Sequence, residues 1–217
     1  MNTARGPGLD RIAGRLLWVV ATACLLQACA GTSARHSDPA AEQAYQQRQQ
    51  HLVELDRWRL AGKLAASDGK DGGSGSFSWE NHAAETRMSF RGALGKGAWE
   101  LEAKDGRAVL RFADGREYFA SSINQLVTAH MRAKVPVDAL SWWVLGLARP
   151  NDWEQRELDA KGRITFLRQF GWEVNFSGYR LHQDIWLPGK LVARNQRHSV
   201  KLAISTWTLS QEAATFE

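Results

Sequence analysis

Apolar residues first gather in one unbroken run, residues 16–26 (LLWVVATACLL), behind a polar and basic stretch. Eleven residues rise only ~16 Å as a helix, about half of a bilayer core, so this run does not span a membrane. A basic start, a short apolar run and small residues after it read as a secretory signal. The pattern then changes. Tyr45, Leu52, Leu55 and Trp58 fall at helical spacing against a Gln-rich face. Asp38-Pro39 supplies an N-cap acid and a proline at the first helical position, which predicts a helix over 39–56.

From Trp58 the period is two. Trp58, Leu60, Gly62 and Leu64 alternate with Arg59, Ala61 and Lys63, and the alternation returns at 77–79, 88–90, 99–104 and 110–112. Asp105-Gly106 and Asp114-Gly115 are hairpin turn pairs, so these strands follow one another as an antiparallel meander. One face is apolar and the other polar, as in a sheet that covers something on a single side. Gly69, Gly72, Gly73 and Gly75 read as one long hairpin loop.

Two helices interrupt the strands. Ser122-Ile123-Asn124-Gln125 is a capping box before Ile123, Leu126, Val127, His130 and Met131. Pro136 opens a second helix through Val137, Leu140, Trp143 and Val144, stopped by Gly146. Strands resume at 164–168, 172–177, 185–187, 191–194 and 200–209. The expected fold is mainly β with α: about eleven antiparallel strands in an incomplete barrel, with a helical lid inserted mid-chain and an apolar cavity.

Charge and composition narrow the function. The net charge is +5, but residues 1–28 carry Arg5, Arg11 and Arg15 against Asp10, leaving 25 cations and 22 anions in the other 189 residues. So balanced a chain does not argue for nucleic acid. No GxSxG elbow, HExxH, Walker loop or GxGxxG fingerprint is present, and the six His have no metal-ligand spacing. His130 reads as a core histidine. These absences point away from an enzyme and from any metal or cofactor.

The positive signal is aromatic. Beyond residue 28 the chain holds nine Trp, eight Phe and three Tyr. Trp58, Trp79, Trp99, Trp172 and Trp186 lie in strands, Trp143 on the inserted helix, with Leu126, Met131 and Leu140 near by. A filled core and a cavity lined for alkyl chains both fit these residues. One loop is unusual. Arg91-Gly92-Ala93-Leu94-Gly95-Lys96-Gly97 offers Leu94 no local cover, so Leu94 either folds back on its hairpin or projects, with cations beside it to meet lipid phosphates.

Leu26-Gln27-Ala28-Cys29 resembles the bacterial lipobox. That resemblance implies cleavage before Cys29, a lipidated Cys29, and a tether running to residue 38; plain signal cleavage with an incidental Cys is the alternative. Ala30 after it, rather than Asp, implies the periplasmic face of the outer membrane. Further motifs are Trp58-x-Leu60-x-Gly62-Lys63, Ser76-Phe77-Ser78-Trp79, Gly92-x-Leu94-Gly95, Val135-Pro136-Val137-x-x-Leu140-x-x-Trp143-x-x-Gly146, Gln169-x-Gly171-Trp172 and Leu187-Pro188-x-Lys190-Leu191. Together they resemble the LolB family, from Cys29 to about Leu209. The chain departs from that pattern at Ala133-Lys134, where a Gly is expected, and at Gly-Ala-Leu-Gly, where some members have Asn-Pro-Leu-Gly.

The resemblance implies an outer-membrane receptor that takes acylated lipoproteins from the soluble carrier LolA into an apolar cavity and inserts them into the inner leaflet. It also implies that the Leu94 loop, with Gly92 and Gly95, promotes insertion. The expected organisation is a signal over 1–28, a lipidated tether over 29–38 and one open-barrel domain over 39–217, acting as a monomer. A LolA-like carrier and a lipoprotein scaffold for a protein partner are the rival readings.

Overall fold

A computed structural model describes residues 38–210, apart from Asp56, Ala83, Lys96, Arg132 and Ala133. The signal, Cys29 and residues 30–37 of the tether lie outside the described residues.

The first helix, α1, is Pro39–Val53. Asp38 caps it by accepting a hydrogen bond from the Ala40 amide at 3.0 Å. It ends three residues before the predicted boundary, because Leu55 turns back to donate to the Leu52 carbonyl and the period-two segment begins at once. Strands β1 (Arg57–Ser67), β2 (Gly72–His82), β3 (Glu85–Gly92), β4 (Trp99–Lys104), β5 (Arg107–Phe112) and β6 (Glu117–Ala120) then form the expected meander. Helices α2 (Ile123–His130) and α3 (Val137–Val144) follow. Seven further strands complete the chain: β7 (Gln155–Leu158), β8 (Ile164–Gln169), β9 (Trp172–Ser177), β10 (Arg180–His182), β11 (Ile185–Leu187), β12 (Lys190–Arg194) and β13 (Ser199–Ser210).

Eleven strands make one antiparallel sheet in the order β6-β5-β4-β3-β2-β1-β13-β12-β9-β8-β7, whose end strands do not pair among the described residues. The fold is therefore the mainly-β open sheet with helices that the periodicity predicts. Three details differ. Strand β11, at 185–187, pairs only with β10, a three-residue strand that the sequence reading did not include, in a separate ribbon. Strand β7 was not expected; its polar sequence QREL carries no alternating signal. The glycine-rich stretch is not a long loop: Gly72, Gly73 and Gly75 are inside β2, and only 68–71 turn.

Register explains the core. Leu60 lies opposite Trp79 and Trp207, Trp79 opposite Met88, Met88 opposite Leu101, and Leu101 opposite Leu110. Residues paired across neighbouring strands share a face, so this row is one continuous apolar surface, and all of it is buried. The other face carries Arg59–Glu80, Arg87–Glu102 and Arg111–Glu102 ion pairs, exposed contacts of small individual worth.

The helical insert fills the apolar face. Trp143 and Val144 of α3 are wholly buried, with Leu126 and Val127 of α2 beside them. His130 is exposed and stacks on Tyr118 at 3.8 Å between ring centres, so it is not a core histidine. It ends α2, where the last turn faces outward.

Candidate functional site

The β3–β4 loop is built on a close approach. A Cβ on Gly75 would stand 2.2 Å from the Arg91 carbonyl oxygen and 2.8 Å from the Gly92 Cα, so only glycine lets β2 and β3 meet here. Gly92 ends β3, and Ala93–Gly95 form a single 3-10 turn. Leu94 sits in it at φ 54°, with Gly95 at 76° and Gly97 at 64°. A left-handed backbone costs a non-glycine residue roughly 1–2 kcal/mol. Leu94 is also 98% exposed, so neither burial nor conformation offsets its presence. Of the two sequence readings, projection is the one the geometry adopts. Arg91 is exposed at the loop's base; Lys96 lies outside the described residues.

Next to this loop is a cavity of about 1320 Å³, above the ~300–1000 Å³ usual for small-ligand pockets. It crosses β13 and β1 to β5, and its aromatic members lie two residues along their strands from the buried row. Its apolar members are Phe77, Phe90, Trp99, Phe112 and Ile204. Phe90 and Trp99 stack with centroids 5.8 Å apart, and Phe77 lies 6.3 Å from Trp99. Its lining also includes a Ser78–Ser89 hydroxyl pair at 2.8 Å, Lys63 donating to Ser76 at 3.0 Å, and Arg91, Glu100, Arg111, Arg180 and Lys190. Ser76, Ser78, Ser89, Arg91, Glu100 and Arg111 alternate with the aromatics along β2 to β5 and so project from the opposite face of the sheet.

The aromatic candidates divide between core and cavity. Trp58, Trp79, Trp143 and Trp172 are packed into the core with Leu126 and Leu140, and none of them borders the cavity. Trp58 meets Trp79 and Trp207 edge to face at 5.2 and 5.8 Å. Met131 is half-buried against the core. Trp186 stands in the β10–β11 ribbon under the cations of Arg163 and Lys161, 4.9 and 5.3 Å away. Only Trp99 of that set borders the cavity. No residue of α2 or α3 borders it either, so the insert plugs the apolar face rather than roofing this space.

That plug is held by polar contacts. Buried Gln169 accepts from Trp143 Nε1 and from the Arg149 amide, both at 3.0 Å, and donates to the Arg149 carbonyl at 2.7 Å. Arg48 of α1 donates to the carbonyls of Leu145 (2.7 Å), Gly146 (3.0 Å) and Trp186 (2.6 Å), capping the C-terminal end of α3. Burial pushes its guanidinium below the ordinary arginine value, and burial pushes the neighbouring Tyr179 phenol well above its own. At the other end of α3, Asn124 of α2 accepts from the Val137 amide at 2.7 Å and donates to Asp138. Gly162 holds α1 in place: at φ 67°, its absent Cβ would lie 2.4 Å from the Tyr45 nitrogen. Arg48 was missed in the sequence. Its signal is a charge falling between Tyr45 and Leu52, on the apolar stripe itself.

Among the described residues, no three His, Cys, Asp or Glu side chains are grouped to hold a metal, and no helix is long and apolar enough to cross a membrane.

A family model described as outer membrane lipoprotein LolB matches residues 56–207. The chain is 35% identical over 188 residues to the outer-membrane lipoprotein LolB of Pseudomonas fluorescens (strain Pf0-1), covering 84% of this chain and 90% of the relative. It is 31% identical over 195 residues to that of Pseudomonas aeruginosa (strain LESB58), covering 89% and 95%. Among solved structures, a lipoprotein-sorting protein domain of the outer membrane from Vibrio parahaemolyticus superposes with a TM-score of 0.50 at 10% identity, covering 82% of this chain and 95% of the other. That last likeness is one of fold.

Proposed function

Because this chain belongs to the LolB family of outer-membrane lipoproteins, we propose that it receives acylated lipoproteins from the periplasmic carrier LolA and inserts them into the inner leaflet of the outer membrane. As a member of that family it is a receptor in lipoprotein sorting and not an enzyme. Cys29 carries the lipid anchor in this reading.

The physical problem it solves is solubility. Each methylene of a client's acyl chains costs about 0.8 kcal/mol in water, so a client with several chains can never be free in the periplasm. Transfer then needs only a series of hosts, each a better solvent for hydrocarbon than the last, and the bilayer is the final one. The chain's part is to hold the acyl tails against the half-buried rings of Phe90, Trp99 and Phe112 on the sheet's apolar face. The face beneath α3 is already occupied by Trp143 and Val144.

Release is assigned to Leu94, and its exposure is the observation that carries the reading. A fully presented leucine at a strained glycine-rich tip is an apolar probe for the bilayer interface. It stands beside the cavity, so its entry into the leaflet brings lipid to the cargo.

The test is Leu94→Glu, loaded with an acylated lipoprotein and mixed with liposomes. Loading should match the parent while transfer to the liposomes is lost. Normal transfer by the variant overturns the assignment. A LolA-like carrier, the rival reading, would work without an anchor, whereas the lipobox at Cys29 favours a fixed receptor.

A further inference from the structure

A second apolar feature lies on the same rim of the sheet as Leu94. Neighbouring strands are antiparallel throughout, so β3, β1, β12 and β8 all run one way, and the turns that end β3 and β8 leave by the same edge. The β8 turn holds Phe170, at φ 52° and 39% exposed. Gln155 of β7 pairs with Arg168 of β8, so Trp153, two residues earlier, follows the same register toward Phe170. Trp153 is 70% exposed. The Arg149 guanidinium lies over the Phe170 ring at 5.3 Å, and the Gln169 side chain grips the Arg149 backbone on both its amide and its carbonyl. The patch is thus set on fixed backbone. Of the nearby acids, Glu154 is paired with Arg156 and Glu173 with Arg168, leaving Asp152 next to Trp153.

The tether root indicates what covers this patch. Glu42, in the first turn of α1, is bonded to Arg156 of β7, three residues from Trp153. The nine residue steps from Cys29 to Asp38 span at most about 30 Å, so a lipid on Cys29 keeps this corner close to the leaflet. Tryptophan and arginine are the side chains that settle at headgroup level.

We propose that Trp153, Phe170 and Arg149 form a second contact with the bilayer surface, apart from the Leu94 loop, so that the protein stands on its rim. The inference rests on the anchor and Leu94 readings above. Two contacts fix the orientation in which the cavity meets the membrane, which a single flexible tether does not.

The test uses the mature lipidated chain in liposomes of phosphatidylethanolamine and phosphatidylglycerol. Leu94→Cys, Trp153→Cys and Arg107→Cys each place one free thiol for a fluorophore; Arg107 starts β5, on the opposite rim. Lipids carrying a doxyl quencher on the acyl chain report insertion. Quenching at 94 and 153 but not at 107 is the expected result. Quenching at 94 alone overturns this proposal and leaves the Leu94 reading intact. Quenching at 153 alone keeps the contact and overturns the Leu94 reading, and quenching at neither overturns both. As a second measurement, a Trp153→Ser, Phe170→Ser chain that also carries Cys29→Ala should bind these vesicles about tenfold less tightly than Cys29→Ala alone. Equal binding contradicts the proposal.

Discussion

The two halves of the open sheet are built differently. On the β7, β8, β9 and β12 side, helices α1 and α3 are fastened by Arg48 and Gln169, and Tyr179 donates to the Ile164 carbonyl at 2.8 Å. The face these contacts hold is closed, with Trp143, Leu167, Trp172, Val174 and Leu191 all buried. On the β2 to β6 side, Phe90, Trp99 and Phe112 are half-buried, a cavity lies open beside them, and the adjoining loop carries a leucine in a costly backbone conformation. The first half supplies stability and the second spends some of it. A receptor that must release what it binds needs both: a rigid frame, and an apolar surface the frame leaves unsatisfied.

If that contrast is right, substitutions in the two halves act in opposite ways. The largest loss of stability belongs to Trp143→Ala, which empties a fully buried site and removes one of the three hydrogen bonds of Gln169, at about 3–5 kcal/mol by chemical denaturation. Arg48→Met comes next. It keeps the stem but leaves the Leu145, Gly146 and Trp186 carbonyls without their donor, for about 2–3 kcal/mol by the same measurement. At the other extreme, Leu94→Gly should raise stability by about 1 kcal/mol, since glycine takes a positive φ freely, while transfer to liposomes falls. A stabilised Leu94→Gly that still transfers cargo would separate the strain from the function and break the comparison.

The frame was more legible in the sequence than the working surface. Period-two alternation and turn pairs define a meander because strand geometry forces side chains to alternate; Asp105 and Gly106, both at positive φ, form the turn their types predict. Strand β7 escaped because a short polar edge strand has no apolar face to alternate. Which tryptophans are core and which line the cavity was not readable either. Trp79 and Trp99 sit in similar alternating strands, and only register places one in the buried row and the other two residues along its strand from that row. Arg48 was hidden for a related reason: its partners are backbone carbonyls about a hundred residues distant, and carbonyls have no residue type to recognise. For Leu94 the lack of local cover was legible in its glycine neighbours, but the choice between folding back and projecting was not, because it is set by the loop's backbone angles.

The claim that cargo tails lie on the open half is tested most directly by a lipoprotein whose acyl chain carries a photoreactive group. After loading from the carrier and irradiation, peptide mapping should find the label on Phe90, Trp99 and Phe112 of β3, β4 and β5. Label concentrated on Trp143, Val144 and Leu126 would show that the insert swings away and the chains lie beneath it, contradicting the account.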